Sequence, residues 1–492
     1  MFRCLLLIAA FLVAACERPA PVSSGTWVGG FELSGEQVAT EPGIWLDFDG
    51  GRARVGEADA WTSVLHLERR GDVLHFEVVF NGAVHVFDAR RGSSDVIEGV
   101  VACGDTVGVF RFDRLAPYDA TEFAQQVQGT YVTASRSLLV TSEPSMGRLF
   151  DIDSGATHAL HPLADGTYLV GPGFATAFPR AGLLRAKRDA GGRVISLTLD
   201  TDGKHETGHL RDPAMQHVRF SSQGAELAGT VLLAEGAASR PGVVFVHGSG
   251  RITRDDWWQQ AMARVFLRDG FDVLLYDKRG VGESGGEYVG RGAKNQNNVS
   301  PENLELLAMD AKAAVATLAA RPGVDPKRVG LFGISQAGWI IPLAASASDR
   351  VAFVAEVSGP AVSTFLEDVY SKLLAEDGGR PSHLTPDEAE TVLTWAPTTT
   401  GFDPAPALSR LRVPALFVYG GRDTSIPPRA SARVLGRLEQ DHDFEVVTLA
   451  NAGHEMLVVG RDTDVERRRS PGFAGEGLLA LRQWLKAHVR EP

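Results

Sequence analysis

Two hydrophobic textures divide the chain. From Gly25 to Arg211 apolar and polar residues alternate in short runs. These include Ile44 to Phe48, Val64 to Leu67, Val73 to Phe80, Ala83 to Phe87 and Val107 to Phe112, then Thr130 to Thr133, Thr167 to Val170 and Val194 to Leu199. Turn residues such as Asp49-Gly50-Gly51 and Asn81-Gly82 separate them. Alternation at period two, punctuated in this way, predicts antiparallel strands that bury one face. We expect a β barrel or sandwich over 26–115 and a second β subdomain over 116–215. No fixed-period repeat runs through these stretches, which argues against a propeller.

Near His217 the texture changes. A leading hairpin, Val218 to Phe220 and Ala225 to Leu233, is followed by continuous apolar runs at Gly242 to Val246, Asp272 to Tyr276, Val329 to Phe332, Val351 to Val357, Pro414 to Tyr419 and Phe444 to Leu449. Helical periodicity lies between and after them, at Gln260 to Asp269, Glu302 to Ala320 and Leu478 to His488. Strands apolar on both faces and alternating with helices predict an α/β domain over 216–492, a mostly parallel sheet flanked by helices. A polar, helix-prone insertion without a strand occupies about 359–410.

Candidate chemistry sits at the ends of these strands. The segment VGLFGISQAGW runs from an apolar strand through Gly333 to Ser335 and into a second apolar stretch. A serine on a sharp strand-to-helix turn needs small residues two places before and after it, and Gly333 and Ala337 meet that need. Ala337 departs from the usual final glycine, and Gly338 comes one place late. Serine is a weak nucleophile at neutral pH and needs a base, which in turn needs an orienting acid. His454 in AGHEM is the candidate base and Asp423 in GGRDTSIP the candidate acid; both follow strands, in the order Ser, Asp, His. The oxyanion donors expected are the backbone N–H of Gln336 and that of Ser249 or Gly250 in HGSG. Taken singly, Asp423 would pass for a turn carboxylate and His454 for a loop histidine; their joint order and strand context carry the assignment. His247 reads as shaping the HGSG loop, and Asp277 to Gly282 as a packed turn. Trp257, Trp258, Trp339 and Trp395 fit an acyl pocket or the core equally well. His158 and His161 read as surface histidines, because no third ligand accompanies them at metal-site spacing.

Composition narrows the classes. The 492 residues carry a formal charge of -12 with 44% hydrophobic residues, which excludes a disordered chain and argues against a nucleic-acid binder. Of three cysteines, Cys4 and Cys16 fall in the amino-terminal segment, so no disulfide framework is expected and Cys103 reads as a small buried hydrophobe. Leu5 to Ala15 is an apolar run of 11 residues, too short for a bilayer that needs about 20, and 1–15 is therefore expected to be a signal peptide. Val13-Ala14-Ala15-Cys16 resembles the lipobox of bacterial lipoproteins. That resemblance implies lipidation of Cys16, a tether over 16–25, and attachment to a bacterial cell envelope facing the periplasm. Glu17 rather than Asp after the cysteine tips the expectation toward the outer membrane. Gly25-Thr26-Trp27 resembles the opening of lipocalin-like barrels, with Trp27 as a core residue the competing reading.

Together HGSG, YDKRGVGESGG, GISQAGW, GGRDTSIP and NAGH resemble the α/β-hydrolase superfamily, in particular its bacterial carboxylesterases and serine aminopeptidase-like members. The resemblance covers a little over half the chain, from about His217 to His488. It implies a nucleophile at Ser335, acid at Asp423, base at His454, oxyanion donors at Gln336 and the Ser249/Gly250 loop, and a cap in the 359–410 insertion. The expected function is a serine carboxylesterase that cleaves small to medium acyl esters through an acyl-enzyme, without cofactor or metal. The alternatives are a serine peptidase acting on short peptides, and a non-catalytic envelope binding protein in which the β region does the work.

Overall fold

The computed structural model describes residues 25–489 except 34–43, 56–61, 71–72, 81, 92–94, 202, 237, 290–298, 376–381, 397–399 and 462. The expected signal peptide, Cys16 and the tether up to Ser24 lie outside the described residues. The chain divides into two compact units, the first mainly up to Pro117 and the second holding most of the remainder.

The first unit is a nine-stranded antiparallel sheet. Its opening strand, Thr26–Leu33, pairs with both Ile44–Asp47 and the last strand, Thr106–Arg114. Beyond Thr106–Arg114 the order runs through Val96–Cys103, Ala83–Arg91 and Val73–Phe80 to Leu65–Arg70. Phe48, just after Ile44–Asp47, lies 5.5 Å ring to ring from Phe76 in Val73–Phe80, so the sheet curls round its inner face. That face is filled by rings: Phe76 stacks on Phe87 at 4.7 Å, Phe110 and Phe112 pack beside them, and Trp27 is 1% exposed. Trp27 is thus a core residue. Cys103, expected to be buried, is half-exposed, because it ends its strand at the Gly104 turn.

The second unit opens with helix Ala120–Gln126, capped by Asp119, and a closed eight-stranded barrel running from Gly129–Val132 to Lys204–Leu210. Closure comes from the pairing of Tyr131 with Leu210. His158 and His161 are not surface residues. Their strand, Thr157–Pro162, packs on both sides; His161 is 2% exposed, and the ring of His158 lies 2.8 Å from the Gly171 carbonyl.

The same unit continues into an eight-stranded sheet. Its order is Ala214–Ser222, Ala225–Leu233, Asp272–Tyr276, Arg240–Val246, Val324–Ile334, Val354–Val357, Ala415–Gly420 and Phe444–Leu449. The leading hairpin joins antiparallel and every later pairing is parallel. Helices Pro301–Ala319 and Ala337–Ser346 contribute to the core on one face, Trp257–Arg268 and Gly475–His488 to that on the other. After Arg240–Val246 the chain adds its next strand on one side, and the one after that on the other. This reversal opens a crevice at the carboxyl ends, where α/β sheets hold their sites. The insertion forms helices Thr364–Leu374, Pro386–Leu393 and Ala405–Leu408, the first two packed through Tyr370, Leu374, Ala389 and Leu393.

Removing the central ring of the first unit tests what holds it. Phe87→Ala is expected to lower the unit's unfolding free energy by about 3–5 kcal/mol, measured by urea denaturation. A loss below about 1 kcal/mol would mean the stacked rings are not its main support.

Candidate active site

The strand Val324–Ile334 ends in a turn whose geometry follows from its small residues. Ser335 sits at φ +59°, a left-handed conformation that costs a non-glycine residue about 1–3 kcal/mol unless its surroundings impose it. They do so here: its N–H donates to the Val357 carbonyl at 3.1 Å, and its carbonyl accepts from Gly338 N–H at 2.8 Å. A Cβ on Gly333 would stand 2.5 Å from the Ala337 methyl and 2.7 Å from the Val246 carbonyl. The methyl of Ala337 fits because Gly333 is bare. Gly338 has its own reason, since a Cβ there would fall 2.5 Å from Gly359 Cα. The late glycine marks where the new helix crosses a neighbouring backbone.

Asp423 follows strand Ala415–Gly420 and is fully buried. One carboxylate oxygen accepts from Ser425 and Ile426 N–H at 2.7 and 2.9 Å; the other is 2.9 Å from His454 Nδ1. The carboxylate is thereby fixed, and it orients a ring whose side chain is 15% exposed. Trp258 Nε1–H donates to the carbonyl of Glu455, steadying the histidine loop. From the insertion, the Tyr370 hydroxyl donates to the Asp423 carbonyl at 2.7 Å.

Gly248 in the HGSG loop lies against the turn: a Cβ on it would be 3.5 Å from Ser335 Cβ. Gln336 is 2% exposed, Ser249 half-buried and Gly250 at φ +87°. His247 is buried with Nε2 2.5 Å from the Tyr276 carbonyl; burial, aided by the positive charge of Lys278, pushes its pKa down to about 3 and keeps it neutral. In the turn Asp277 to Gly282, the Asp277 carboxylate accepts from Arg254 and Glu283 N–H, and Arg279 pairs with Asp310. Trp258 stacks on Phe332 and Trp339 Nε1–H donates to the Val362 carbonyl, so both are core. Trp257 stacks on Phe150 of the barrel, and Trp395 is 87% exposed. Among the described residues no cluster of three or more His, Cys, Asp or Glu is placed to hold a metal ion.

Three charged groups near this site were not anticipated. Lys278 Nζ donates to the Gly248 carbonyl at 2.9 Å and to Gln336 Oε1 at 2.8 Å. Glu367 stands one helical turn before Tyr370; burial, only partly offset by His454, raises its carboxyl to about 7. Glu356, in the strand beside the turn, is buried, its Oε1 has no hydrogen-bond partner among the described residues, and burial raises it to about 8. The one available signal was a lone acid in the apolar run Val354-Ala355-Glu356-Val357.

Residues 243–467 match the model of the alpha/beta hydrolase family. The C-terminal part has the α/β-hydrolase fold. Over 155 residues it is 32% identical to thiohydrolase aneE of Aspergillus aculeatus, a match covering 31% of this chain and 44% of that protein. The hydrolase match is 26% identical over 285 residues to esterase EstD of Thermotoga maritima, covering 53% of this chain and 65% of the relative. The chain thus spans less than half the length of the Aspergillus relative and about two thirds of the Thermotoga one. Among solved structures, an esterase of Pyrococcus furiosus aligns with 18% identity and a TM-score of 0.41, over 56% of this chain and 92% of its own.

Glu356 gives the C-terminal domain a pH signature. Its folded pKa, about 8, lies above its ordinary value of 4.5, so the folded state binds the proton more tightly. The stability this contributes is present below pH 4.5 and is lost as pH rises through 8. Glu356→Gln cannot titrate. Thermal midpoints measured from pH 5 to 8 should fall more in the wild type than in the variant, and parallel curves would contradict the assignment.

Proposed function

We propose that the hydrolase domain is a serine carboxylesterase acting on small to medium acyl esters, with Ser335 as nucleophile, His454 as base and Asp423 as its orienting acid. The observation that carries this reading is the buried Asp423 carboxylate 2.9 Å from His454 Nδ1, on the same sheet edge as the left-handed Ser335. In this mechanism His454 Nε2 takes the Ser335 hydroxyl proton as Oγ bonds to the ester carbonyl carbon. The carbonyl π electrons move onto oxygen, where backbone N–H groups of Gln336 and the Ser249/Gly250 loop receive the charge. Collapse breaks the bond to the alkoxy group, which leaves as the alcohol with the proton from His454. Water then repeats the sequence on the acyl-enzyme and releases the acid. No step calls for a cofactor.

The similarity to an esterase and a thiohydrolase supports testing oxygen and sulfur esters together. The reading also includes anchoring to a bacterial envelope through lipidated Cys16, on the periplasmic side and most simply at the outer membrane, supported by the segment Val13 to Cys16. Lipid attachment adds about 0.8 kcal/mol per buried CH₂, so two or three acyl chains suffice to hold a protein.

Initial rates on p-nitrophenyl esters from acetyl to palmitoyl, on matching thioesters and on aminoacyl p-nitroanilides test the reaction class. Ester turnover should rise with pH as His454 loses its proton, and should fall by about 10³-fold or more in Ser335→Ala. Anilide turnover without ester turnover would move the assignment to a peptidase. Unchanged ester turnover in Ser335→Ala would overturn the nucleophile.

A further inference from the structure

The lysine that follows Asp277 is buried with no anion bonded to it among the described residues. Lys278 is 4% exposed, and among the described residues its Nζ has only neutral partners, the Gly248 carbonyl and the Gln336 side-chain amide oxygen. The charged groups around it are otherwise engaged. Arg279 is held by Asp310, Asp277 by backbone N–H groups and by Arg254, and His247 is neutral. Glu287 shares the small pocket that Lys278 lines with Tyr288, Asn303 and Gln336, but its carboxylate is not bonded to Nζ.

An uncompensated buried ammonium is costly, and buried groups perturbed in this way cluster at functional sites. Both partners of Lys278 belong to the segments that carry the oxyanion donors in the reading above, on which this inference rests. Gly248 precedes Ser249 and abuts Ser335, while Gln336 follows Ser335 directly. We propose that Lys278 is the positioning residue of the oxyanion site: it clamps the HGSG loop to the nucleophile turn, and its positive charge is neutralised by the oxyanion of the tetrahedral intermediate. The attraction is present in the transition state and absent from the ground state, so it acts on kcat and leaves KM nearly alone.

This role adds a limb to the pH profile. Burial lowers the Lys278 ammonium from its usual value of 10.5 to about 7. Turnover then needs a neutral His454 and a charged Lys278. The wild-type rate rises with pH on the histidine and falls again as Lys278 loses its proton.

The experiment is kcat and KM on p-nitrophenyl butyrate from pH 5.5 to 9.5 for wild type, Lys278→Met, Lys278→Arg and Ser335→Ala. Lys278→Met should lose about 10²-fold in kcat, with KM within about threefold, and should show no falling limb. Lys278→Arg, charged throughout, should recover part of kcat and stay level at high pH. A kcat for Lys278→Met within twofold of wild type, or a falling limb that survives in it, would overturn the proposal. If Lys278→Met does not fold, Lys278→Arg decides: its side chain does not titrate in this range, so a falling limb that persists unshifted in it would overturn the proposal. Full turnover in Ser335→Ala would instead overturn the serine hydrolase reading, so the two failures are distinguishable.

Discussion

The hydrolase domain is built to hold one serine in a conformation that a serine avoids. Ser335 stays at φ +59° because a strand buried from Val329 to Gly333 feeds it from one side and a buried helix leaves on the other. Its own N–H and carbonyl are both satisfied by neighbouring backbone. The bare Cα positions of Gly333 and Gly338 follow from that arrangement, since each is where a second backbone or side chain must pass. The same sheet carries Asp423 and His454 at the ends of its last two strands, and the parallel register from Val354 to Leu449 sets their spacing. Core packing and site geometry are therefore one structural problem here.

Charge is distributed around this frame in an uneven way. Asp423 is held in place by two backbone N–H donors and by the His454 ring, whereas Glu356 and Glu367 are pushed toward neutrality by burial. Lys278 is pushed in the opposite direction on the side of the HGSG loop. Groups of both signs whose ordinary pKa values lie far from 7 are thus drawn toward it within one small region, as functional sites tend to do. Tyr370 links the insertion to this region through the Asp423 carbonyl, so the insertion helps shape the acid loop as well as standing beside it.

What the sequence made legible was local. The apolar run Gly242 to Val246 lies on a strand with nearly the expected bounds, because burial on both faces leaves no other pattern; Phe444 to Leu449 matches its strand too, although its edge position leaves Glu445 and Thr448 exposed. The expected helix Glu302 to Ala320 is Pro301–Ala319, its start fixed by the Ser300 cap. The strand expected from Val351 begins at Val354, and helix Pro428–Leu438 was not anticipated because it opens on two prolines. Non-local pairing was out of reach. The meeting of the first strand, Thr26–Leu33, with the last, Thr106–Arg114, inside the first sheet and the burial of His161 within the barrel both depend on pairings that no single strand reveals. Ser335, Asp423 and His454 stood out through small residues and chain order. Lys278 did not, since nothing along the chain distinguishes a buried lysine from an exposed one in Asp277-Lys278-Arg279.

The central claim is that the left-handed turn makes Ser335 the residue that takes the acyl group. Treating the protein with a fluorophosphonate, digesting it and mapping the adduct by mass spectrometry tests this most directly. The account predicts one phosphonyl group, on the peptide containing Ser335, with labelling abolished in His454→Ala as well as in Ser335→Ala. An adduct on another residue, or no adduct on a folded protein that hydrolyses esters, would contradict it.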